Sequence, residues 1–556
     1  MHEGEEMDRL FDTNVIRERK SLDGMWNLSI EEKGNFNAAV PGCWEQIPEL
    51  SKYRGVGIYT KKITTSKSGN LRFVFKGISH TADVYFDEKK VAHHYNAYTP
   101  FSTVIKNAEE GEHELKVVVD NTFGEHSALH IPNDYYTYGG IVRPVIMENI
   151  SDCFIEYVHF SPEYIDDKWY AEIELKISNI SNSDFSGKVV CSLKDNKIEM
   201  QVDVLANSAA TVISKAEFCG VSQWSNETPT LYLLNTTLYK NDRAIDDLIE
   251  RVGFRTIKIE EDKVYLNNKK IFFKGFNRHE DHPTFGCAIP LQLMAYDIQL
   301  MIDAGANAVR TSHYPNDERF LDLCDERGLL VWEENHARAL SEDDMKNVNF
   351  DRQCEDCIRE MIENHYNHPS IIIWGILNEC ASHTTVGREK YAEQFEQIGE
   401  LDNSRPKSFA TCQHYTDICL DLPDILSVNV YPLWYNDDDP AQMLDKLKSW
   451  MDETAGDKKP FIITEFGAGG IYGYRSETEV KWTEERQKQI LDTVMEKYLN
   501  RDDLSGIFIW QFCDTRVNEE WSFNRPKTMN NKGIVDGYRR KKLAYETVKS
   551  HFGMNK

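Results

Sequence analysis

No stretch of this chain is long and apolar enough to cross a bilayer. Its longest barrel-like apolar run, residues 371–377, is far short of the roughly 20 residues that a helical span needs. Basic residues are scarce as well: 64 Lys and Arg stand against 91 Asp and Glu, a net charge of −27. Such a surface repels a phosphate backbone instead of releasing its counterions, which excludes nucleic acid as a partner. Cysteine is thin, 12 in 556 residues without framework spacing, so no disulfide scaffold is expected. Cys354-Glu-Asp-Cys357 has the spacing of a metal or redox pair, but it falls inside a helical pattern with no second pair to complete a zinc site. With 31 Gly, 17 Pro and no low-complexity segment, neither collagen-like nor disordered architecture fits. A Walker-A stretch and an H-E-x-x-H spacing are also missing, and His279-Glu280-Asp281-His282 is no substitute, so no cofactor and no metal are expected. The acidic start, residues 1–12, has no hydrophobic leader core, and the expectation is a soluble, cytoplasmic protein without membrane contact.

What is present is a globular composition, 41% apolar and 28% charged, in a chain long enough for three or four domains of about 150 residues. From about residue 20 to residue 255 apolar and polar residues alternate, as in 71–75, 82–86, 113–119 and 171–177, which predicts half-buried strands. One block closes near residue 147 and a second opens at Cys153, so two successive β-sandwiches are expected, over 1–150 and 151–256. After Val252-Gly-Phe-Arg the pattern becomes short apolar runs alternating with amphipathic stretches. Eight runs can be counted: 271–277, 308–313, 329–334, 371–379, 407–411, 425–431, 461–467 and 506–514. Eight βα units specify a (β/α)8 TIM barrel over 257–556, with chemistry at the C-terminal ends of its strands.

Two of those ends carry an acid. The fourth run finishes in Asn378-Glu379 and the seventh in Thr464-Glu465-Phe466-Gly467. A strand-end Glu can cap the next helix or pair with a barrel Arg, but burying two acids on opposite sides of one barrel mouth is costly unless they are used together. Two converging carboxylates are what hydrolysis of a glycosidic bond requires.

Asn307-Ala-Val-Arg-Thr-Ser-His313-Tyr-Pro315, Asn367-His-Pro-Ser370 and Trp374 leading to Asn378-Glu379 resemble the signatures of glycoside hydrolase family 2. The resemblance covers essentially the whole chain and implies an N-terminal jelly-roll-like, sugar-binding β-sandwich, an immunoglobulin-like β-sandwich and the barrel. It implies retention of configuration, with Glu379 as general acid/base and Glu465 as nucleophile, and it makes a homo-oligomer the expected assembly. That division of labour wants Glu379 protonated and Glu465 ionised at rest. Asn378 is placed to donate to the sugar 2-hydroxyl, and Tyr431, at the end of Asn429-Val-Tyr431, to keep Glu465 ionised.

Specificity is read at the rim. Asn530-Asn-Lys532 is similar to the pattern by which β-glucuronidases hold the substrate carboxylate, and Asp134 lies in a loop similar to the one that reaches the barrel mouth in those enzymes. Arg338 offers a second cation, which raises a galacturonide, while the continuation after Pro315 is closer to β-galactosidases. His313, Asn429, Trp434 and Trp510 complete the expected substrate-binding set. The short 338–349 stretch predicts an open leaving-group entrance. The expectation is a retaining exo-β-uronidase acting on a glucuronide, with a galacturonide or dual preference as the alternative. A neutral-sugar β-galactosidase and a silent carbohydrate-binding protein are the remaining readings.

Overall fold

The computed structural model describes residues 8–456 and 458–554. The first seven residues of the acidic start lie outside them. The first sandwich packs an antiparallel four-stranded sheet (Glu18–Ser21, Val145–Ile150, Gly69–Phe75, Phe101–Ala108, in spatial order) on a six-stranded one running from Gly34–Val40 to Lys89–Tyr95. Alternation in the sequence becomes alternation in burial: Leu71, Phe73 and Phe75 face Ala82, Val84 and Phe86 across one core, with Leu115, Val117 and Val119. The second sandwich sets three strands (Cys153–Ile165, Lys168–Asn179, Ser208–Phe218) on four (Asn196–Val204, Phe185–Leu193, Tyr232–Lys240, Arg243–Val252), all antiparallel. Burying each of its Ile, Leu and Val side chains contributes roughly 1.5–3 kcal/mol.

The barrel strands are β1 (Phe273–Asn277), β2 (Ala308–Arg310), β3 (Leu330–Glu334), β4 (Ile371–Ile376), β5 (Lys407–Phe409), β6 (Leu426–Asn429), β7 (Phe461–Phe466) and β8 (Gly506–Ile509), parallel throughout. The sheet runs from β5 back through β1 to β8 and β6, and isolated bridges Ser408–Ile425 and Thr411–Val428 close it. Gly375 in β4 is required by close approach: a Cβ there would lie 2.2 Å from the Trp332 indole nitrogen, which fills the barrel interior. Helices α1 (Leu291–Asp303), α2 (Glu318–Arg327), α3 (Phe350–His365), α4 (Thr385–Leu401), α5 (Pro440–Ala455), α6 (Glu484–Tyr498) and α7 (Leu543–Met554) surround it. Asp317, Thr384, Asp439 and Thr483 cap four of them by accepting from backbone N–H groups of the first turn.

Two expectations change in detail. The link from β5 to β6 has no helix among the described residues, so one of the eight βα units is a loop, residues 410–425. Several predicted runs also overshoot their strands, because the residues at their ends turn out of the sheet into the mouth. Leu377 and Glu379 do so with φ of 41° and 54°. Cys354 and Cys357 are buried thiols in the core under α3. No helix among the described residues is long and apolar enough to cross a membrane.

Candidate active site

Glu465 is the inward-facing acid of β7. Its carboxylate accepts from Arg310 (3.1 Å) and from the Tyr431 hydroxyl (2.6 Å), and its residue is 3% exposed. Arg310 is itself fixed by a bidentate pair with Glu334 (2.8 and 3.0 Å), so its direction is set before any ligand arrives. Glu379 follows β4, where the left-handed backbone is held by a hydrogen bond from its N–H to the Ala410 carbonyl (2.9 Å). That conformation costs a non-glycine residue on the order of 1 kcal/mol or more, and it aims the side chain into the mouth. Its carboxylate accepts from Asn429 (3.0 Å) and Arg338 (3.3 Å).

Both acids line one cavity of about 360 Å³, with Asp134, Arg338, Asn429, Tyr431, Trp510 and Lys532 on its walls. Asp134 is brought there by the first sandwich, whose Arg143 pairs with Glu280 after β1 (2.9 Å) and whose Tyr138 donates to Asp281 (3.1 Å). Glu280 and Asp281 thus brace the pocket against the first sandwich. Asp134 meets Arg338 (3.1 Å) and Arg525 (3.0 Å) and accepts from Asn530 (3.3 Å). Burial would raise its acid, but Arg338, Arg525 and Lys532 outweigh it and hold Asp134 at about 2. His313 accepts from Arg310 or donates to Glu334 through Nδ1 (2.6 Å to Glu334) and stacks on Trp510. The Asn378 side-chain oxygen accepts from Arg310 (2.8 Å).

Trp434 does not line the cavity. Its ring packs edge-on against Trp482 at 4.9 Å, in the core, and the neighbouring Tyr435 takes the place expected of it. The Tyr435 hydroxyl accepts from the Lys532 ammonium at 2.9 Å. Arg525, Trp521, His414, Cys412 and Met443 also reach the cavity and were not anticipated. None has a motif around it, Met443 lying on α5 and Trp521 in a 3-10 turn; a lone Arg five residues before Asn530 was the only available signal. Polar atoms without a hydrogen-bond partner among the described residues gather here: Asn378 Nδ2, His279 Nε2, His313 Nε2, Asn530 Oδ1 and the Nε atoms of Arg338 and Arg525. Buried unsatisfied groups are rare in folded proteins, and a ligand rich in hydroxyls would satisfy these.

The electrostatics depart from expectation at one residue. Burial, then the Glu379 charge, push Glu465 up to about 8, against Arg310, Tyr431 and Arg338, which pull it down. Desolvation outweighs its donors in the free site, so the charge that attack requires depends on Arg310 and Tyr431. Lys532 is the complementary case. It is 2% exposed, its ammonium has no carboxylate ion-pair partner among the described residues, and burial draws it below its ordinary value. One further cluster, Asp322, Asp325 and His368, has the composition of a metal site. Arg9 occupies Asp322 through two hydrogen bonds (2.9 and 3.0 Å), and His368 and the Ser370 N–H take Asp325, so a cation has no role to fill there.

Residues 257–555, more than half of the chain, match the model of the glycosyl hydrolases family 2 TIM barrel domain, and residues 153–255 match a second model described as glycosyl hydrolases family 2. The chain belongs to glycoside hydrolase family 2. A solved family 2 β-galacturonidase from Eisenbergiella tayi, bound to galacturonate, is 49% identical, superposes with a TM-score of 0.97 and is matched over 99% of this chain and 100% of that one. A β-D-glucuronidase from Dictyoglomus thermophilum is 25% identical with a TM-score of 0.85, over 98% of both chains. A curated β-glucuronidase from Streptococcus agalactiae is 25% identical over 90% of this chain and 91% of its own. This family 2 hydrolase thus carries its two barrel acids in a cavity completed by its first sandwich.

Proposed function

We propose that this hydrolase is a retaining exo-β-uronidase that removes a terminal β-D-galacturonate, and secondarily a β-D-glucuronate, from a conjugate or oligosaccharide. The observation that carries the reading is Lys532: a buried ammonium whose only hydrogen bond among the described residues is to a phenol oxygen is a desolvated charge in want of an anion. A hexuronate supplies one; a neutral hexose does not.

Glu465 attacks the anomeric carbon while Glu379 protonates the departing oxygen, and Glu379 then takes a proton from the water that releases the sugar. Arg310 and Tyr431 stabilise the Glu465 charge needed for attack. Asn378, with its amide nitrogen free, donates to the 2-hydroxyl where charge develops in the transition state. Asp134 stays ionised and accepts sugar hydroxyls. Galacturonate is placed first for two reasons. Arg338 bridges Asp134 and Glu379 on the wall, a cation beyond the one Lys532 supplies, and a protein 49% identical over nearly its whole length is a β-galacturonidase. The glucuronide reading keeps the support of the Asn-x-Lys pattern and of relatives near 25% identity.

The test is a panel of four p-nitrophenyl β-D-glycosides: galacturonide, glucuronide, galactoside and glucoside. Uronides should exceed their hexosides in kcat/KM by at least tenfold, with galacturonide highest. Equal rates on charged and neutral sugars would reduce the enzyme to a general β-glycosidase.

A further inference from the structure

Behind the cavity wall lies a second buried lysine that touches no ligand position. Lys542, 2% exposed, directs its ammonium to three acceptors: the Gly470 carbonyl (2.5 Å), the Asp514 carboxylate (2.7 Å) and the Asn531 carbonyl (3.3 Å). An ammonium has three N–H donors, so this one is fully used. The same Asp514 oxygen accepts from the Gly533 N–H (2.9 Å). The pair therefore grips the residue before Lys532 and the residue after it, and joins both to the loop after β8 and to the loop after β7. Gln487 on α6 adds a strut, donating to the carbonyls of Ala468 and Gly533 (3.0 Å each). Packing leaves the segment no slack: a Cβ on Gly533 would stand 2.3 Å from the Asp514 nitrogen and 2.4 Å from the Val535 carbonyl oxygen.

A buried ion pair is a poor source of stability, since desolvation consumes most of its attraction. What it supplies is direction. Lys532 has a flexible four-carbon stem, and holding its ammonium on one point of the cavity requires that its Cα not move.

We infer that Asp514 and Lys542 are positioning residues for the Lys532 ammonium, and thereby set the preference for charged over neutral sugars without contacting either. This rests on the uronidase reading. It assigns to the residue before α7 and to the loop after β8 a share in substrate choice.

The experiment compares Lys542→Met, Asp514→Asn and Lys532→Ala on p-nitrophenyl β-D-galacturonide and galactoside, with kcat and KM separated and the fraction of folded enzyme measured by active-site titration. Lys542→Met should raise KM for the galacturonide about tenfold with little change in kcat, and Asp514→Asn, which keeps an oxygen for Gly533, about threefold. Combined with Lys532→Ala, neither should lower the uronide-to-hexoside ratio further, because the group they position is gone. A role confined to stability would leave KM fixed and reduce only the titratable enzyme. That result, in whichever of the two variants folds, overturns the inference. If Lys532→Ala lowers the ratio while both positioning variants leave KM unchanged, the positioning role alone fails. If Lys532→Ala leaves the ratio unchanged, the uronidase reading fails and the inference with it.

Discussion

Glu465 ties stability to pH in a direction opposite to that of an ion-paired carboxylate such as Asp134. Its folded value of about 8 exceeds its ordinary 4.5, so the native state binds this proton more tightly than the unfolded chain does. The contribution is fully present below about pH 4.5 and is lost as the pH rises through about 8. Glu465→Gln, which is neutral at every pH, should match the wild type in melting temperature at pH 5 and exceed it at pH 9; thermal scans at both values check this. The same variant should abolish turnover, as should Glu379→Ala. Azide should restore a retaining reaction only in Glu379→Ala, where the nucleophile remains, with product stereochemistry read by NMR. Lys532→Ala should lower the uronide-to-hexoside ratio of kcat/KM by roughly ten- to a hundredfold, the value of a lost charge-assisted hydrogen bond of about 1.5–3 kcal/mol. Arg338→Ala should damage galacturonide turnover more than glucuronide turnover; equal losses would show that Arg338 serves Asp134 and Glu379 only.

At the scale of elements, what could be read in the sequence was whatever repeats or stands in contrast. β4 is an apolar strand followed three residues on by Glu379, β7 an apolar strand with Glu465 next to its end, and the cost of burying an acid made both visible. The sandwich strands were visible through their period of two. The loops were not. Tyr435 and Trp434 are adjacent aromatics, and only the presence of Trp482 decides which one packs in the core. Arg525 follows a 3-10 turn, Glu519–Asn524, whose pattern does not reveal that Trp521 donates to the Pro132 carbonyl of the first sandwich or that Arg525 reaches Asp134. The upward shift of Glu465 was unreadable for another reason: it depends on how dry the site is, a property of the assembled barrel. The short 338–349 stretch carries a capped helical turn, Glu342–Met345, followed by Asn347 and Asn349, which donate to the Glu125 carbonyl. Disrupting the cap with Ser341→Ala should cost about 1 kcal/mol of local stability, seen as faster amide exchange in 341–346, and leave galacturonide kcat unchanged.

Across the whole molecule the site depends on docking. Arg143, buried between the first sandwich and the barrel, helps deliver Asp134 by donating to Glu280, to the Tyr98 carbonyl and to the Pro315 carbonyl. Arg143→Met would strand the buried Glu280 charge, a loss on the order of 3–5 kcal/mol. Melting temperature and activity should fall together. A melt that stays put while activity falls would mean that docking is held elsewhere, for instance by the pair of Lys76 with Glu318 on the barrel. The central claim is that Glu465 forms a glycosyl-enzyme with a uronate. The direct measurement is incubation with 2-deoxy-2-fluoro-β-D-galacturonyl fluoride followed by peptide mass mapping. The account predicts time-dependent inactivation with one fluorogalacturonyl group on the peptide containing Glu465. Labelling of any other carboxylate, or no labelling by the uronyl reagent when the neutral 2-fluorogalactosyl fluoride does inactivate, would contradict it.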